Sequence, residues 1–224
     1  HPDSLTPRGH LQAQALAKRL ARYGVDELYA SPLIRAQQTA APTAVLLNQS
    51  VEILDWTSEA AAWDDFSVEE NGRRCWIFHS SRRVRLREAT IRARGLRWYE
   101  DPLFADTRAE AGYHRILDAS DAFLAAHGYD HDRLNCRYIA RTPNDRRVAV
   151  FCHQGFGLSW LGALLDIPLP VTWANMDFGH TGMTVIEFRA DDAGLCVPKL
   201  LTLSNDSHLY AEGLPTMYQN RIYF

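Results

Sequence analysis

The sequence predicts an α/β domain built on a mostly parallel sheet, and three observations carry that expectation. Two strand–turn–helix units bracket the chain: VDELYAS followed by PLIRAQQTAAPTAVLLN, and VAVFC followed by HQGFGLSWLGALLDIP. Units of this kind bury their strands beneath helices on the sheet faces. The chain has 224 residues, 46% of them hydrophobic, which is enough to fill one sizeable core.

The first element is a helix. In LTPRGHLQAQALAKRLARYG, Thr6 suits an N-cap and Pro7 a first helical position, while Leu11, Ala15, Leu16 and Leu20 recur at helical spacing as far as Gly24. VDELYAS then reads as a short apolar strand ending at Ser31-Pro32, and PLIRAQQTAAPTAVLLN resumes the helical period with a proline at its start.

From Trp63 to about Arg108 the periodicity weakens, and SSRRVRLREATIRARG is arginine-rich and partly helical. Read from its residues alone, it is a solvated helical excursion. AGYHRILDASDAFLAAHGYD restores the helical period, with Gly128 placed to end it, and leads to the buried-looking strand VAVFC and the apolar helix beyond. HTGMTVIEFRA and CVPKLLTLSN read as two final strands, separated by an Asp-Asp-Ala-Gly turn. No repeat, low-complexity tract or linker divides the chain, so residues 1–224 read as one domain with an insertion over 60–146.

The formal charge of −3, with both signs scattered, gives no reason to expect a nucleic-acid or membrane surface, so any anion site must be local. No apolar run approaches the roughly 20 residues of a spanning helix, and no signal segment opens the sequence. The four cysteines are widely spaced with no C-x-x-C pair, which fits reduced thiols in a cytoplasmic protein rather than a zinc site or a disulfide framework.

Ligands in open α/β sheets gather at strand ends, where helix N-termini offer free N–H groups and partial positive charge. Arg35 falls in the first turn after VDELYAS, where a guanidinium could grip an anion bidentately. His153 follows VAVFC and precedes Gln154-Gly155, so its ring would emerge at a second strand end. His79, His114, His127 and His131 show no metal-ligand spacing, and Trp63, Trp76, Trp98 and Trp160 read as packing residues.

These stretches together resemble the histidine phosphatase superfamily, the phosphoglycerate-mutase-like proteins. DSLTPRGHLQAQALAKRL, YASPLIRAQQTA and VAVFCHQG are similar to three of its motifs in order and approximate spacing, and NDSHL resembles a common family ending. The resemblance implies a three-layer α/β/α sandwich with a largely helical cap beside the site. It implies that Arg35 and His153 hold the transferring phosphoryl group, that Gln154 and His180 contact phosphate or substrate, and that Glu59 stands where the family carries its acidic proton donor. A carboxyl in a partly desolvated pocket can stay protonated long enough to serve a leaving oxygen.

The implied activity is phosphomonoester hydrolysis through a phosphohistidine, without metal or cofactor, on a small phosphorylated substrate. The family's nucleophile lies in an Arg-His-Gly triplet closing its first strand, and no such triplet occurs here. His1 precedes Pro2-Asp3, lacks a strand before it and sits too close to LTPRG, so the nucleophile is expected upstream of the given sequence. Two alternatives stand beside hydrolysis: phosphoglycerate-mutase-type transfer, and an inactive member that binds a phosphorylated ligand or protein. Exposed aromatics of the cap would suit a homodimer.

Overall fold

The computed structural model describes residues 3–216, so His1 lies outside the described residues. Helix α1 (Pro7–Tyr23) begins as its sequence dictates: the Thr6 side chain accepts the Gly9 N–H, Pro7 opens the first turn, and Gly24 ends the helix at φ 72°. Strand β1 (Glu27–Ala30), helix α2 (Ile34–Leu47) and strand β2 (Val51–Ile53) come next.

The middle of the chain holds α3 (Glu59–Phe66), a hairpin of β3 (Ser67–Glu70) and β4 (Arg73–Trp76), several short 3-10 turns, α4 (Ala89–Arg94) and α5 (Ala109–Ala126). Beyond it lie β5 (Tyr129–Asp132), β6 (Arg137–Ala140), β7 (Val148–Phe151), α6 (Gln154–Leu164) and α7 (Leu169–Asn175). The described chain closes with β8 (Met183–Glu187), β9 (Leu195–Cys196), β10 (Lys199–Asn205) and α8 (Ser207–Ala211).

The two strand–turn–helix units form a parallel sheet in the order β2-β1-β7, with Leu28 opposite Val51 on one side and Ala149 on the other. Side chains alternate across a strand. Leu28 and Ala30 therefore pack with Leu16, Leu20 and Ala40 of α1 and α2, while Tyr29 between them meets Phe123 of α5 edge-on. Helices thus cover both faces, giving three layers.

A second core lies under the middle segment, where Trp98, Trp173, Phe66 and Phe156 are buried against one another and against Ile91 and Ile116. Two of the segment's aromatics are packed inward, Trp98 at 0% and Trp76 at 9% exposed, while Trp63 and Tyr99 are only partly buried. The hairpin is an addition to the expected helices. Its Asn71-Gly72 turn has φ of 52° and 72°, the conformation that two-residue hairpin loops favour.

β8 and β10 pair antiparallel as a separate ribbon. Among the described residues no strand pairs with the second edge of β7 or of β8, and both edges border one cleft of about 1690 Å³. Leu16 and Leu20 of α1 line one side of that cleft, and Phe123, Trp160 and Leu161 of α5 and α6 line the other. This open seam explains why β8 is only half-buried along its whole length although helices flank it.

Candidate active site

The C-terminal ends of β1 and β7 are adjacent and parallel, so the turns leaving the two strands converge. After β1 comes Ser31, fully buried, and one residue inside α2 comes Arg35. After β7 comes His153, the N-cap residue of α6. The Nε2 of His153 lies 2.8 Å from the Ser31 hydroxyl, which joins the two strand ends.

Burial disfavours a charged imidazole here, and the neighbouring Arg35 adds to the effect, against a smaller opposing influence of Asp3. The His153 pKa is pushed down to about 4, so the ring is neutral near pH 7. Arg35, partly exposed, pairs through Nη1 with the Asp3 carboxylate, so an anion binding here would share or take over that donor.

Glu59, the first residue of α3, reaches the start of α6. Its carboxylate oxygens accept the Gly155 N–H at 3.0 Å and the Phe156 N–H at 2.7 Å, satisfying two of the groups a helix leaves free at its start. Burial raises the Glu59 pKa, partly opposed by these two hydrogen bonds and by the charge of Arg35. A carboxyl poised in this way can carry and release a proton.

The structure brings Arg35, Glu59 and His153 together along one wall of the cleft, with Gln154 beside them. The Gln154 side chain turns to Asp177, donating from Nε2 to Oδ1. His180 also lines the cleft, exposed, on the loop between α7 and β8.

Four contributors escape the reading of the sequence. Ser31 begins the SPLIRA stretch, and a small hydroxyl closing a strand is the signal that could have found it. Asp177 carries none. Trp76 presses on the start of α6 so closely that a Cβ on Gly155 would lie 2.5 Å from its ring, so this position accepts only glycine without rearrangement. Asp3 meets Arg35 across 32 residues of sequence, which no local pattern predicts.

Cys152, next to His153, is held in its neutral thiol form near pH 7. Burial, with Glu59 nearby, pushes its thiol up to about 12. Among the described residues no three His, Cys, Asp or Glu side chains gather as a metal-holding group, and no helix is long and apolar enough to cross a membrane.

The sequence model described as histidine phosphatase superfamily (branch 1) matches residues 2–128. No curated protein matches the chain. Among solved structures, the fold is similar to a mycobacterial glucosyl-3-phosphoglycerate phosphatase at 18% identity and TM-score 0.57, covering 90% of this chain and 88% of the other. It is also similar to a phosphoserine phosphatase from Entamoeba histolytica at 21% identity and TM-score 0.55, covering 92% and 86%. An alpha-ribazole phosphatase from Shigella flexneri shares 18% identity with a TM-score of 0.53, covering 90% and 84%. At these identities the likeness is one of fold.

Proposed function

Because the chain belongs to the histidine phosphatase superfamily (branch 1), we propose that it hydrolyses a small phosphomonoester through a phosphohistidine. The observation that carries this reading is the meeting of Arg35, neutral His153 and Glu59, whose pKa burial raises, at the C-terminal ends of β1 and β7, where the open seam between β7 and β8 also ends.

In the proposed reaction a neutral imidazole nitrogen attacks phosphorus. The N–P bond forms, the P–O bond to the leaving group breaks, and Glu59 gives its proton to the departing oxygen. Water then attacks phosphorus and gives a proton back to the Glu59 carboxylate, the N–P bond breaks with its electron pair returning to the imidazole nitrogen, and inorganic phosphate leaves. Arg35 donates to the phosphoryl oxygens throughout. His153 takes up a proton as the phosphoryl charge arrives, because an adjacent anion favours imidazolium. The positive groups are the chain's own, so the scheme uses no metal or cofactor. Gln154 and His180, which line the same cleft, are assigned to contact the substrate.

We place the attacking histidine on a segment preceding residue 1, lying as a strand between β7 and β8. An extended segment there finds backbone partners on both sides and apolar helices above and below, as a central parallel strand requires. Running parallel to β7, it would end beside His153. The four cysteines are unpaired, which suits a reducing compartment, and we assign the enzyme to the cytoplasm.

The test compares a protein extended upstream with the 224-residue chain, using p-nitrophenyl phosphate for turnover and calorimetry for inorganic phosphate. Both should bind phosphate and only the extended protein should turn over. Equal turnover by the two would overturn the placement of the nucleophile, and failure of both to bind phosphate would overturn the site.

A further inference from the structure

The NDSHL stretch near the end of the chain takes no part in the chemistry above, yet its histidine is buried. His208 of α8 is 4% exposed, and its Nε2 lies 3.2 Å from the hydroxyl of Thr181. Thr181 itself donates that hydroxyl's proton to the His180 carbonyl at 2.7 Å. A hydroxyl has one proton, so toward His208 it can only accept, and His208 must donate from Nε2. Burial and the neighbouring Arg19 lower the ring's pKa, keeping it neutral. The proton therefore sits on Nε2, and Nδ1 is the bare nitrogen, buried without a hydrogen-bond partner among the described residues.

Thr181 occupies an unusual place. The Gly182 N–H donates to the Gly179 carbonyl at 3.0 Å, closing a four-residue turn with His180 and Thr181 at its centre. Thr181 has φ 56°, at the turn position where glycine or asparagine is favoured and a β-branched residue is strained. The turn is pinned on its other side as well, by the Gly179 N–H donating to the Ser204 hydroxyl at 2.7 Å. A Cβ on Gly182 would overlap that same hydroxyl oxygen, so the close approach needs glycine. Turn propensity does not explain a threonine here. What threonine has and glycine lacks is the hydroxyl that links His208 to the His180 carbonyl.

We propose that His208 is a positioning residue: through Thr181 it fixes the turn that presents His180 to the mouth of the active-site cleft. The inference rests on the phosphatase reading of that cleft, and it assigns to the chain's end a role in substrate affinity. His208 touches neither substrate nor phosphate.

Three variants of the extended protein test it with p-nitrophenyl phosphate. Thr181→Gly relieves the backbone strain while removing the hydroxyl, so the two effects oppose each other and the protein should remain folded at the assay temperature. Its KM should nevertheless rise about fivefold while kcat changes by less than about twofold. His208→Ala should raise KM in the same way, and His208→Gln, whose amide nitrogen can reach the place of Nε2, should restore it. Native KM in a folded Thr181→Gly protein overturns the proposal and leaves the phosphatase reading standing. Absence of turnover in the unsubstituted extended protein removes the phosphatase reading and this inference with it.

Discussion

The Ser31 hydroxyl and the His153 Nε2, 2.8 Å apart, tie the ends of two parallel strands across 122 residues of sequence. The serine is fully buried, so its bond fixes the imidazole plane without exchange with water. Because this hydroxyl restrains the ring nitrogen, Ser31→Ala should cost about 1 kcal/mol of stability, the usual worth of one such bond. It should also lower kcat/KM about tenfold by letting the ring turn. Thermal melts and steady-state kinetics on the same sample separate the two effects.

Arg35→Ala should have the opposite balance. The guanidinium is partly exposed and its ion pair with Asp3 lies near the surface, so stability should move by less than about 1 kcal/mol. Phosphate affinity and turnover should each fall about a hundredfold, because a bidentate donor to the phosphoryl oxygens is lost. Calorimetry with inorganic phosphate and a thermal melt check this pair of values. Equal losses in both would make Arg35 a structural residue.

For Glu59 the telling variable is the leaving group. An acid that protonates the departing oxygen matters most where that oxygen is basic, so Glu59→Gln should slow an alkyl phosphate far more than p-nitrophenyl phosphate. The rate should decline as pH rises through a value above the ordinary carboxylate range, since the acid form is needed and burial raises this group. The substitution should abolish that limb of the profile. A uniform loss on both substrates, with the limb retained, would assign Glu59 to capping α6 alone.

Away from the site, His131 sets a pH dependence of stability. Its side chain is fully buried between Asp121, at 2.8 Å from Nδ1, and Asp166, at 3.1 Å from Nε2, and it stacks on Tyr138. Burial alone would disfavour the charge, but the two carboxylates overcome it and push the pKa up to about 9. A raised folded-state value stabilises fully below about pH 6.5, and the contribution fades as pH climbs through about 9. Its size is on the order of 3 kcal/mol. Melting temperatures between these limits should fall for the native chain and stay nearly flat for His131→Gln relative to it.

Much of this arrangement is legible in the sequence where local rules act alone. Thr6, Pro7 and Gly24 mark the ends of α1 by cap chemistry, and the turn-then-helix patterns around Arg35 and His153 place both residues at strand ends. The β3–β4 hairpin is not among the expected elements, because its short charged strands, which pair Val68 with Cys75 and Glu69 with Arg74, show no clean alternation. β5 and β6 are hidden for other reasons: YDHD is too polar to alternate cleanly, RYIA is only four residues long, and β6 is held by pairing with β5 and with the distant β9. The bonds from Ser31 to His153, Asp177 to Gln154 and His208 to Thr181 are tertiary facts, set by which strand lies beside which, and no window of sequence contains them.

In the proposed enzyme the phosphoryl group passes through a histidine on a strand preceding residue 1, with His153 beside it as a charge-stabilising partner. This passage can be caught by rapid acid-free quenching of the extended protein with radiolabelled phosphomonoester, then peptide mapping of the acid-labile label. Label should appear on a histidine upstream of residue 1 and vanish when that histidine is replaced. Label on His153, or turnover with no labelled histidine, would refute the proposed route.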